Sequence, residues 1–397
     1  RFSLSDMRQL HTTHMRLWLT NQIASVLVTV VIAACRVDQQ EDVLPPLAAA
    51  HWTISTEPAA VIGRQDGPAE EELIAVVGAV ELANGALLVA DHGAASILVF
   101  TPAGEFVWRI GGRGAGPGEF QDLEWLRYGG GDTAVVFDAA LRRLSWLTQD
   151  SVVRTESFPD ASAHPEIYGP FRNGMVLQVE RPQGPPGQFR AGEYVDTAVL
   201  VLYPLQDGAQ VIIGRVPRDD IVEREVQSRG VPTRVRAYPP FGRTLQIAAT
   251  PDRFAVGRNA TLRVMEYAST GEVLRRISED VESRPVGPAD IAAWLQAGQD
   301  DPVESAFDEV RASAAPSETM PAFGALIYDA EGNLWIGEYT AGPTESPRFH
   351  VFSASGEKLT TVEGPRVDRL LSISGSSMIG VVRDHDDVQM VVRYRID

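Results

Sequence analysis

The sequence predicts an all-β fold, a six-bladed β-propeller of four-stranded antiparallel blades, on three observations. The 35 Gly and 26 Pro among 397 residues punctuate the chain with turns and favour short strands over long helices. From Leu73 onward one phrase recurs: an apolar strand, a turn carrying Gly, Asn or Asp, an alternating strand, a second turn, then further strands. The last copy has three strands, and residues 51–62 at the other end form an unassigned extended segment that can supply its fourth. That pairing closes the ring and removes an exposed sheet edge.

The chain starts with an address. Arg16 precedes the apolar run Ile23–Ala34, and the lone cysteine of the sequence, Cys35, follows directly. A basic region, an apolar core and small residues before a processing point are the parts of an export signal. Ile32-Ala33-Ala34-Cys35 resembles the lipobox of bacterial lipoproteins, in which the cysteine becomes the lipidated first residue. Residues 1–35 are therefore read as a lipoprotein signal with Cys35 as the lipidation site, and 36–50 as a linker. A cleaved soluble-secretion signal and an uncleaved anchor helix are the competing readings, and each places the body outside the cytoplasm. The lipoprotein reading implies a bacterial cell-envelope protein, lipid-anchored to a membrane; Arg36 after the cysteine favours the outer membrane or periplasmic side.

The blades follow over 51–397. The first copy predicts strands at about 75–82, 86–91, 96–101 and 105–110, with Asn84-Gly85 as a two-residue hairpin turn. The second holds Thr133–Asp138, Leu144–Leu147 and Ser151–Arg154; the third holds Gly174–Val179, Thr197–Tyr203 and Gln210–Gly214. The fourth runs through Leu245–Ala248, Arg253–Gly257, Leu262–Met265 and Glu272–Ile277. The fifth has Ala325–Tyr328, Leu334–Gly337, Phe349–Phe352 and Lys358–Val362, and the sixth Leu370–Ser374, Met378–Arg383 and Val388–Tyr394. Before blade five, Ile291, Trp294 and Leu295, then Val303, Ala306, Phe307 and Val310, recur at helical spacing and predict a helical insertion over about 287–318.

Gly111-Gly112-Arg113-Gly114-Ala115-Gly116-Pro117-Gly118-Glu119-Phe120 resembles the glycine-rich blade-to-blade crossover of NHL-repeat propellers. The resemblance covers about 51–397 and implies the six-bladed architecture. The glycine run matches neither G-x-G-x-x-G nor G-x-x-x-x-G-K, which argues for a tight crossover rather than a phosphate cradle.

A formal charge of −18 repels phosphate backbones, so nucleic acid is not expected as a partner. No G-x-S-x-G elbow is present. Residues after the second strand of several blades converge on one axial mouth: Asp91, His92, Asp138, Glu338, Tyr339, Arg383, Asp384 and His385 are the candidate binding residues, with no catalytic residue assigned. The expected function is a binding or scaffold module for a protein, peptide or glycan, without a cofactor. The alternative is a metal-dependent hydrolase or lyase holding a divalent ion on the axis; calcium-dependent lactonases and peptide-amidating lyases have similar folds and place metals there.

Overall fold

The structure is a computed structural model that describes residues 52–63, 72–157, 166–181, 191–228, 231–297, 310–341 and 346–397. The signal at 1–35 with Cys35, the linker at 36–50 and part of the expected helical insertion, 298–309, lie outside the described residues.

Six antiparallel sheets form the ring. The chain enters through β1 (Ala60–Ile62) and builds blade one from β2 (Val76–Glu81), β3 (Leu87–Asp91), β4 (Ser96–Phe100) and β5 (Phe106–Ile110). Blade two is β6 (Leu123–Gly130), β7 (Thr133–Asp138), β8 (Arg143–Leu147) and β9 (Val152–Ser157). Blade three is β10 (Glu166–Tyr168), β11 (Met175–Glu180), β12 (Gly192–Pro204), β13 (Val211–Ser228) and β14 (Val231–Ala237). Blade four is β15 (Leu245–Ala249), β16 (Arg253–Arg258), β17 (Arg263–Ala268) and β18 (Val273–Ser278). After helix α1 (Pro288–Ala297), blade five is β19 (Phe323–Tyr328), β20 (Leu334–Glu338), β21 (Arg348–Phe352) and β22 (Lys358–Glu363). Blade six is β23 (Arg369–Ile373), β24 (Ser377–Arg383) and β25 (Gln389–Arg395).

The fourth strand of blade six is β1, which pairs antiparallel with β25 through Ala60↔Arg393, Val61↔Val392 and Ile62↔Val391. First strands of neighbouring blades touch, β2 with both β6 and β23, and β19 with both β15 and β23, so they ring the axis. The upper face carries the turns between second and third strands and the crossovers between blades. The lower face carries the other two turns of each blade.

Second strands are buried along most of their length because their residues face a neighbouring blade on both sides, and Leu87–Asp91 is buried throughout. Fourth strands, at the outer edge, are largely exposed: Val107 and Trp108 are exposed while Ile110 is buried. The turns follow the sequence chemistry, with Gly85, Gly104, Gly271, Gly332 and Gly356 at positive φ. In the glycine-rich crossover, Gly111 and Gly118 are left-handed, Phe120 is fully buried, and a Cβ on Gly111 would lie 2.6 Å from both the Gly118 carbonyl and the Phe120 ring.

Three elements depart from the expected pattern. Blade two has an inner strand over Leu123–Gly130, and blade three has one over Glu166–Tyr168. Blade three also carries an arm: β13 continues to Ser228 and pairs its second half with β14, well past the strand expected to end at Gly214. Pro217 sits in β13 beside a register shift between Val195 and Thr197, where the ladder is already interrupted. The arm projects from the upper face, and its Val222, Val235 and Ala237 pack on Val310 and Ala314 of the insertion.

Candidate functional site

The residues that end the second strands have a shared structural task. Asp91 is fully buried and accepts hydrogen bonds from the amides of Ile74 (3.0 Å), Ala75 (2.9 Å) and Gly93 (2.9 Å). Asp138, also fully buried, accepts from Gln121 (2.7 Å), Asp122 (3.3 Å) and Leu141 (2.9 Å). Asn259 does the same for Thr244 in blade four, at 2.8 Å. Each clamps the incoming crossover to the next upper turn. The expectation that Asp91 and Asp138 face a ligand is corrected on this ground: burial hides both carboxylates, and backbone amides occupy them.

Four of the other candidates line two separate recesses, and Asp384 and His385 line neither. His92 and Arg383 line a hollow of about 720 Å³ between blades six and one. The His92 ring lies 3.1 Å from the Leu123 carbonyl and 3.3 Å from Asp122, and Arg383 pairs with Asp387 at 2.8 Å. Asp384 accepts from the amides of Asp386 and Val388, both at 2.9 Å, which makes it a turn residue, and His385 stands exposed beside Asp386. Glu338 and Tyr339 line the larger recess, about 980 Å³, between blades four and five.

That larger recess is the candidate site. Its wall is built by the ends of β20 and β21 and by the crossover after β18, which folds back on itself with Val286 donating to Glu318 (3.0 Å) and Met320 to Arg284 (2.8 Å). Five carboxylates, on Glu279, Asp280, Glu282, Glu338 and Glu363, line it against three guanidiniums, on Arg263, Arg284 and Arg348. Glu338 accepts from His350 Nε2 at 2.8 Å, while Arg348 stands 3.7 Å from Glu338 and 3.9 Å from Glu363. His350 is 6% exposed, and its Nδ1 is buried without a hydrogen-bond partner among the described residues. Tyr339 is the aromatic residue of its lining among the described residues, backed by the buried Phe241, which is held at φ +55° at the base of the arm and meets Tyr339 at 6.3 Å and Trp294 of α1 at 6.5 Å. Burial pushes the Tyr339 hydroxyl above its ordinary value, and the Arg284 and Arg243 charges partly offset this. The recess thus offers excess negative charge, mixed donors and acceptors, and an apolar edge.

Sequence reasoning reached Glu338 and Tyr339 here and missed Arg348, His350 and Glu363. A signal for His350 was present: it is the polar member of Phe349-His350-Val351-Phe352, a strand read as core. Among the described residues no three His, Cys, Asp or Glu side chains are grouped as a metal centre would require.

A family model described as a 6-bladed beta-propeller, DUF5128, matches residues 69–126. No curated protein matches the sequence. Among solved structures, an exported protein of Bacteroides fragilis is similar at 13% identity and TM-score 0.46, over 88% of this chain and 96% of that one. A DUF4221 family member from Bacteroides vulgatus is similar at 11% identity and TM-score 0.47, over 87% and 98%. The virginiamycin B lyase of Staphylococcus aureus is similar at 11% identity and TM-score 0.39, over 87% and 99%.

Proposed function

We propose that the propeller is an envelope binding module whose recess between blades four and five takes a basic segment of a peptide or protein. The observation that carries this reading is the surplus of carboxylates over guanidiniums in a hollow of about 980 Å³. Glu338 and Glu363 share one arginine, Arg348, at 3.7 and 3.9 Å, too far for tight pairing, so both retain capacity for an incoming cation. Tyr339 supplies a ring for the aliphatic stem or guanidinium of that ligand. The reading places the protein on the envelope through the Cys35 anchor, which rests on the sequence.

Calorimetric titration with arginine-rich, lysine-rich and neutral peptides tests it. Saturable binding of the basic peptides that weakens with salt and by about tenfold in Glu338→Gln supports the reading. Equal affinity for neutral peptides overturns it. Membrane fractionation of Cys35→Ala tests the anchor separately, the expected result being release into the soluble fraction.

A further inference from the structure

The lower face holds a second pocket of opposite character. It lies where the lower turns of blades two, three and four meet, encloses about 170 Å³, and is lined by Arg127, Arg154 and Arg172 together with Trp146, Phe171 and Pro251. Among the described residues no Asp or Glu lines it, in a chain whose formal charge is −18.

The three arginines are not equivalent. Arg154 pairs with Glu156, and Arg172 with Asp252 at 3.0 Å, both at the exposed rim. Arg127, on the inner strand β6, has no ion pair within bonding distance among the described residues. Its guanidinium lies under the rings of Trp125 (4.4 Å) and Tyr168 (4.7 Å), and its Nη1 is buried without a hydrogen-bond partner among the described residues. The acid that acts on it electrostatically is Glu166, and that carboxylate already accepts from the Tyr168 hydroxyl at 3.0 Å and pairs with Arg218. Burial lowers the Arg127 pKa from its usual value, since desolvation disfavours the charged form.

We propose that this pocket binds a small oxyanion, a carboxylate or phosphate, with Arg127 as its principal contact. A buried guanidinium with an idle N–H is costly, and an oxyanion supplies both the missing acceptor and the missing charge. The rings over Arg127 leave its N–H edge as the reactive side, and that edge matches two oxygens of a planar or tetrahedral anion. The volume limits the occupant: a cavity of ~150 Å³ accommodates benzene, so roughly six non-hydrogen atoms fit, enough for acetate, phosphate or a short hydroxy acid. Arg154 and Arg172 at the rim would draw the anion in against the repulsion of the acidic surface.

The test is calorimetric titration of the purified full chain with acetate, lactate and inorganic phosphate, each at matched ionic strength. The expected result is saturable binding of at least one, weakened about tenfold or more in Arg127→Met and partly restored in Arg127→Lys. Ala249→Leu, which narrows the same pocket and leaves Arg127 in place, should also weaken binding and carries the test if Arg127→Met fails to fold. No saturable binding in the wild type, water alone then satisfying Nη1, overturns the proposal. So does an affinity unaffected by Arg127→Met in a variant that melts like the wild type.

Discussion

Asp91 shows how a single carboxylate can hold a blade junction. It accepts the amides of Ile74, Ala75 and Gly93 from a fully buried position, so Asp91→Ala strands three donors at once. The expected loss is about 3 kcal/mol or more in urea unfolding, with Asp91→Asn intermediate because an amide oxygen can serve some of the same donors. Glu81 poses a comparable test at the ring seam. Its carboxylate takes two bonds from Arg393, 2.8 and 3.1 Å, and one from Ser377, with the Arg393 and Glu81 side chains only 13% and 9% exposed. Removing one partner of such a pair typically costs about 3–5 kcal/mol, so Glu81→Ala should melt well below the wild type while Glu81→Gln loses less. The sequence marked Asp91 and Asp138 as residues at strand ends but not their purpose. An aspartate after a strand reads alike whether it caps a turn or meets a ligand, and only burial distinguishes the two.

Among the elements, the arm of blade three is the departure with the most chemistry. Tyr194 on β12 donates to Glu223 on β13 at 2.7 Å, and burial with that carboxylate pushes its hydroxyl up to about 12. Tyr203 lower on β12 is raised to about 12 in the same way, by burial and by Glu180. A phenol whose folded pKa exceeds its unfolded value stabilises the fold below the unfolded pKa and loses that contribution as pH rises through the folded one. Stability should therefore decline between about pH 10 and 12, and Tyr203→Phe should flatten that decline in melting curves taken across the range. The arm was illegible because Arg215 to Ser228 mixes charged residues with valines and a proline, without the clean alternation that a strand with one buried face displays. The inner strand Leu123–Gly130 was hidden by its triple glycine end, Gly129-Gly130-Gly131, which reads as loop. Blades one, four and five were legible strand by strand, since their turns carry Asn84-Gly85, Thr270-Gly271 and Gly332-Asn333 between alternating runs.

For the whole molecule, the number of blades was readable because each repeat cannot bury its faces alone and must announce its turns. The recess was not, since Glu338, His350 and Arg284 come from separate segments that only the ring brings together. Ring integrity also rests on the amino-terminal segment, where Ile62 and Ile54 are buried and Trp52 stacks on Trp335 at 5.4 Å. Removing residues through Ile62 should cost on the order of 5 kcal/mol from lost apolar burial and bare the edge of β25. Lower melting with concentration-dependent association in size-exclusion chromatography is the expected readout.

The pairing of Val61 with Val392 also sets a clock. A ribosome or an export channel delivers Val61 well before Val392, so the seam cannot form until all the intervening blades have emerged. Blades one to five can assemble from neighbours in order, but the seam joins residues more than five blades apart in sequence and carries a large loop-closure entropy. Until then the growing protein presents unpaired strand edges to its surroundings, the state in which holding chaperones have most to protect.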